Sequence, residues 1–283
     1  MRPGRLAALL LAPTALFLAV FFAYPLVEAV ALAFRSGQGH LTLEHFRRLA
    51  DDVYFPRAVR NTLVLLAWVI PIQLVLALLA ALVVSRRMRG SGTFLYVYAL
   101  PLGISELAAG LIWLSVFTER GYLNTVLDQL GWLERPVVYL SFQSPGWLLA
   151  ALVVAEAWRA TPLVMMILVA GMQMIARDYL EAADTFGATG WQKLRYVILP
   201  LLKPSLQTAL LIRTVLALQV FAPVVVLTGR LFPVLASEAY FWYSLIRNPH
   251  VAAVYAVAIM GVSVAVSWLY LLALRTREEQ VGA

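Results

Sequence analysis

Long apolar runs separated by short polar segments dominate this chain. Runs long enough to cross a hydrocarbon core of roughly 20 helical residues lie at about Leu6–Phe34, Asn61–Val84, Thr93–Phe117, Trp147–Ile175, Ser205–Thr228 and Val251–Leu274. Each is continuous rather than alternating, which predicts helices and not the strands of a barrel. Helices are also what lipid demands, because backbone amides find no partner in hydrocarbon except within their own segment. Pro13, Thr14, Pro25 and Glu28 alone interrupt the first run. It exceeds the roughly 7–15 residue core of a signal peptide and shows no clean small-x-small exit, so it is expected to be retained as a first span. The pattern predicts an all-α membrane protein with six spans in one domain over residues 1–283.

The polar segments set the expected topology. With six spans both termini share a side, which collects Arg2, Arg5, Arg86, Arg87, Arg89, Arg177, Lys193, Arg195, Lys203, Arg275 and Arg277. The other side holds Arg35, Arg47, Arg48, Arg57, Arg60, Arg120, Arg135, Arg230 and Arg247. Eleven against nine is a weak positive-inside bias, and it favours cytoplasmic termini. On the outer side, His40–Arg60 reads as a partly amphipathic helix with Leu43, Phe46, Leu49 and Val53 at helical spacing. Thr118–Gly146 reads as a loop whose Trp132 and Tyr139 suit an interfacial belt.

Composition narrows the classes. Of 283 residues, 62% are hydrophobic and 13% charged, against about a quarter charged in soluble domains. There is no cysteine, which excludes disulfides, thiolate nucleophiles and Cys-ligated metals. The net charge of +7 is dispersed in short clusters between apolar runs, so the basic face of a nucleic-acid binder is missing. No HExxH, GxSxG, P-loop or His cluster is present; a membrane-embedded enzyme is the alternative of a different class, and no span offers a convincing nucleophile beside a base. A secondary transporter would bring more spans or an inverted repeat, and a channel a filter-like segment. Any nucleotide that drives transport must therefore bind another chain.

Polar groups inside spans are costly and need a reason. Glu156 and Arg159 lie three residues apart and face each other on one helix. Arg213 and Gln219 stand nearly two turns apart on one face of a continuous fifth span. Trp158, Gln219 and Phe221, with Glu156 and Arg213, are candidates for a path that offers hydrogen bonds and aromatic faces to a ligand. The competing role for the arginines is to lock helix to helix. Glu106, beside Pro101, Gly103 and Ser105, is either a cation site or a packing hydrogen bond. Gln73 beside Pro71, and Pro223 beside Phe221, are expected to mark kinks.

The segment Arg177–Pro200 is unlike a minimal connector. Asp178 with Glu181 resembles an N-terminal cap and its partner. Gly187 and Gly190 supply a break, Thr189 with Gln192 makes a capping box, and Pro200 and Pro204 close the unit. Two short helices around a glycine turn result. Local physics leaves two roles open: a rigid knob for a partner to grip, or an amphipathic loop lying on headgroups.

Glu181-Ala182-Ala183 followed by Gly187-Ala188 and Leu199-Pro200 resembles the coupling-loop signature of ABC importer permeases. Ala157–Pro162, Arg213-Thr214, Leu227–Gly229 and His45-Phe46 through Arg60–Thr62 are similar to the sugar-type (maltose-type) permeases, so the resemblance covers roughly the whole chain. It implies the six-helix type I importer fold in a bacterial or archaeal inner membrane. It further implies a second homologous permease subunit, an ATPase dimer that takes the coupling loops and holds ATP and Mg, and an extracytoplasmic sugar-binding protein. No cofactor is expected in this chain. A di- or oligosaccharide is the implied substrate, with a glycerol-phosphate-like solute as the alternative. Two departures stand out: Phe186 occupies a position usually held by Asp, and Arg230-Leu231-Phe232-Pro233 replaces a glycine-rich stretch.

Overall fold

The computed structural model describes residues 3–85 and 90–273, with side chains over 10–85 and 90–272. The basic residues Arg2, Arg5, Arg86, Arg87, Arg89, Arg275 and Arg277, and Leu274 at the end of the sixth run, lie outside what is described of the side chains. All named elements among the described residues are helical.

The chain enters through α1 (Pro3–Leu18), a π turn (Ala19–Ala23) and α2 (Tyr24–Phe34). From Leu10 to Phe34 none of the most apolar window is buried. A short α3 (Glu44–Ala50) precedes α4 (Tyr54–Ser85). The expected outer helix over His40–Arg60 is thus divided: Asp52 accepts from the Tyr54 amide at 3.0 Å and starts α4 seven residues ahead of the apolar run. Phe46 and Leu49 turn inward, whereas Leu43 and Val53 stay exposed. Pro71 sits inside α4 without ending it.

The third run is not one helix. α5 (Ser91–Ala99) passes through a 3-10 turn (Leu100–Gly103) before α6 (Glu106–Phe117), and the chain bends by 101° at this break. Pro101 brings no amide to a helical ladder, and the Ser105 hydroxyl accepts from the Ala108 amide at 3.2 Å to cap the new helix. The expected loop Thr118–Gly146 contains α7 (Tyr122–Gln129). Trp132 in it is exposed, but Tyr139 is buried against Phe117 and Trp147 rather than facing an interface.

α8 (Pro145–Gln173) is followed by α9 (Arg177–Thr185), α10 (Gly190–Lys193), a π turn (Leu194–Ile198) and α11 (Leu199–Leu201). The fifth run is also divided, into α12 (Lys203–Leu218) and α13 (Ala222–Thr228), with Gln219–Phe221 outside either helix. Pro223 in the first turn of α13 agrees with this restart. No helix is expected from the pattern just before the sixth run, yet α14 (Leu235–Ser244) lies there, ahead of α15 (Pro249–Ala273).

α4 and α8 form the spine. Their contact at the loop end joins Ala77, Ala80 and Ala81 to Val164, Met165 and Leu168. In lipid there is little hydrophobic gain from pairing helices, so small residues that let backbones approach provide the fit. Gly171 shows the same device, since a Cβ there would meet Ser205 Oγ at 2.1 Å. At the far end, Asp52 accepts from Trp242 Nε1 and Tyr255 OH, both at 2.9 Å. His45 and His250 stack at 4.7 Å there and donate to the carbonyls of Arg35 and Leu32 near the end of α2. The outer segment, α14 and α15 are thereby bound into one cap.

Candidate functional site

The segment after α8 is built almost wholly by local rules. Ala176, not Asp178, is the N-cap of α9, and it makes no side-chain cap; Asp178 lies within the first turn. The opposite end is closed more strongly. The Ala188 amide donates to Ala183 O and the Gly187 amide to Asp184 O, both at 2.9 Å, the paired bonds of a Schellman motif. That geometry needs a left-handed residue, and Gly187 supplies φ +73°. Gly190 has no such role and opens α10. Thr189 accepts from the Gln192 amide while Gln192 Oε1 accepts from the Thr189 amide at 2.7 Å, a complete capping box. Lys193 Nζ reaches Asp184 at 2.6 Å and ties the two helices together.

This elbow presents a defined surface. Glu181 and Ala182 are exposed, Ala183 is buried, and Gly187 stands in open space. Ala188 and Leu199 are half-buried and Pro200 is exposed at the return toward α12. Phe186 is 90% exposed at the tip. A bare phenyl ring at the apex of a rigid turn is costly in water and suits an apolar contact.

Inside the bundle the structure joins residues that the sequence had kept apart. Glu156, 1% exposed, and Arg213, 2% exposed, pair at 2.8 Å. Arg213 Nε donates to Gln73 Oε1 at 2.6 Å, and Gln73 Nε2 donates to the Glu156 carbonyl at 2.7 Å. Arg159 then meets both Oε atoms of Glu156 at 3.1 and 3.2 Å and Glu106 at 3.1 Å. One network therefore links α4, α6, α8 and α12. The expected Glu156–Arg159 pairing is present within it. Arg213 and Gln219 do not share a helical face, because α12 ends at Leu218; Arg213 is buried and Gln219 is exposed in the break. Gln73, read from sequence as a kink marker, is fully buried and cross-links α4 to α8 and α12. Its signal was available: a lone amide in an otherwise apolar run.

Trp158 borders an open cleft of about 590 Å³ whose walls include Phe94, Tyr98, Trp113 and Pro101. Trp113 and Trp158 meet edge to face at 5.9 Å, and Trp113 Nε1 is buried without a hydrogen-bond partner. Phe221 is 37% exposed, its ring tilted against that of Tyr240 at 5.4 Å between centroids. A second ion pair escaped the sequence reading. Arg230, in the stretch that departs from the glycine-rich pattern, pairs with the fully buried Glu238 and lies 3.9 Å over the Tyr54 ring. The Glu238 bond, ahead of any other effect, raises the Arg230 pKa.

Comparison with known proteins agrees with the fold. The chain is 33% identical over 237 residues to a trehalose transport system permease protein of Mycobacterium tuberculosis, covering 81% of this chain and 75% of that protein. It is 35% identical over 236 residues to a sulfoquinovosyl glycerol transport system permease protein of Agrobacterium fabrum, covering 79% and 74%. A bacterial ABC transporter involved in alginate import superposes with a TM-score of 0.80 at 22% identity, over 97% of this chain and 96% of that one, which speaks for the fold. Residues 49–277 match the binding-protein-dependent transport system inner membrane component. With a match across most of its length and relatives of this closeness, the chain belongs to that family of multi-pass membrane permeases.

Proposed function

We propose that this permease forms half of the translocation path for a di- or oligosaccharide, and that Arg177–Pro200 is the element through which a separate ATPase subunit drives it. The observation that carries the second part is the elbow itself. Schellman bonds, capping box and the Lys193–Asp184 tie leave it little freedom to absorb a push, so force applied at Glu181 passes into α8 and α12. The trehalose and sulfoquinovosyl glycerol specificities named for the relatives support a sugar-like substrate.

In this reading the elbow and both termini face the cytoplasm. A second homologous permease completes the path, and two ATPase subunits bind ATP and Mg and clasp one elbow each. An extracytoplasmic binding protein delivers the sugar to the far end; a related solved assembly holds a periplasmic protein loaded with an alginate pentasaccharide. Trp158, Gln219 and Phe221, all reachable by a ligand, offer ring faces and an amide to a pyranose. Glu156 and Arg213 are closed upon each other and serve as frame. Nucleotide-driven approach of the ATPases moves the spans flanking the elbow and switches the cavity between sides.

Replacing Gly187 by valine tests this. Open space surrounds Gly187, so the substitution strains only the backbone, at a cost of roughly 1–2 kcal/mol. Transporter reconstituted with this Gly187→Val chain should retain membrane insertion and hydrolyse ATP while sugar uptake in vesicles falls at least tenfold. Uptake at the wild-type rate would contradict the role of the elbow.

A further inference from the structure

The two arginines of the buried network are held differently. Arg213 and Glu156 are sealed from solvent, and parting them would leave uncompensated charges at high cost. Arg159 is 16% exposed and has two carboxylate partners, Glu156 on its own helix and Glu106 on α6. Without Glu106, Arg159 keeps both bonds to Glu156, and at 39% exposure Glu106 is far less enclosed than Glu156 at 1%. Among the described contacts of this network, the Glu106–Arg159 bridge is thus the most exposed, and it opens with Arg159 still bound to a carboxylate.

Glu106 also occupies the position where motion would be read. It stands in the first turn of α6, directly after the 101° break at Pro101, Gly103 and Ser105. The other side of α6 is wedded to α13: a Cβ on Gly110 would lie 3.0 Å from Val226 Cβ and 3.3 Å from Pro223 Cα. α13 is itself flanked by non-helical joints, Gln219–Phe221 before it and Gly229, with φ +55°, after it. α6 and α13 also share an apolar cluster with α4 and α8 that includes Val224, Leu227, Leu114, Trp113, Leu152 and Val69. Apolar packing tolerates small shear, whereas an ion pair is either made or broken.

We infer that Glu106 is a positioning residue for transport: with Arg159 it forms a latch that holds the α6–α13 pair against the α4–α8–α12 frame, and it releases when the path changes sides. The latch biases the resting conformation. It does not touch the ATPase or hold the fold together.

The test is made in the assembled transporter and rests on the proposed coupling to an ATPase. Glu106→Gln keeps shape and removes charge; Glu106→Asp restores charge. The latch predicts that Glu106→Gln assembles with an unfolding midpoint near wild type, and that basal hydrolysis rises about fivefold relative to the rate stimulated by loaded binding protein. Glu106→Asp should return most of that ratio. Because the chain has no cysteine, Ala108→Cys on α6 gives a single site in this subunit, and its alkylation should quicken in the Glu106→Gln background. An unchanged ratio and alkylation rate would overturn the latch, and so would failure of Glu106→Gln to assemble, which would make the residue a folding group. If wild-type transporter itself shows no stimulated hydrolysis, the fault lies with the coupling reading and the alkylation comparison alone decides.

Discussion

The elbow and the buried charge network solve opposite problems. In the elbow the bonds that matter join residues at most nine positions apart, in water, and each alone is weak: Thr189 to Gln192, Ala188 to Ala183, Lys193 to Asp184. In the network the bonds join Gln73 to Arg213, 140 positions away, and Glu156 to Arg213, 57 away, in a dry interior. Rigidity by many cheap local restraints leaves a surface that a partner can grip without unfolding anything. Rigidity by a few costly distant ones defines which helices must stay together when the rest moves.

The comparison is broken most sharply at Glu156. Glu156→Gln removes the charge shared by Arg159 and Arg213 and should cost about 3–5 kcal/mol, seen as a large loss of purified, monodisperse protein and a lowered unfolding midpoint in detergent. Less is expected at Gly171, where the elbow-side ends of α8 and α12 approach. Gly171→Ala must displace Ser205 and should cost about 1–3 kcal/mol by the same thermal measurement. The elbow should respond least. Thr189→Ala removes one half of the capping box, worth about 1 kcal/mol, and should leave global unfolding nearly unchanged while hydrogen exchange accelerates at the Gln192 amide. A loss at Thr189 as large as at Glu156 would erase the distinction between the two regions.

The same contrast explains what the sequence could tell. Thr189 with Gln192, and Gly187 as the left-handed residue, were legible because each rule reaches only a few positions. Asp178 misled because its spacing to Glu181 fits a cap, while the chain enters α9 at Ala176 and leaves Asp178 inside the turn. The breaks at Leu100–Ser105 and Gln219–Phe221 were hidden by hydropathy, which continues through them; Pro101, Ser105 and Pro223 were their visible traces. Gln73, Glu106 and the Arg230–Glu238 pair were out of reach as partners. A buried polar residue announces that it needs a partner, but the partner's identity is fixed by tertiary packing and not by spacing along the chain.

α8 runs unbroken through 29 residues, a rod of about 43 Å, and ends three residues short of the elbow. Its foot packs against α12 where Gly171 meets Ser205, and its middle carries Trp158 and Arg159. A tilt of about 5° imposed at the foot sweeps the opposite tip through about 4 Å, comparable to the width of a sugar ring. Leverage of this kind, a slight rotation at one end becoming several ångströms of travel at the other, is inherent in the length of one continuous helix.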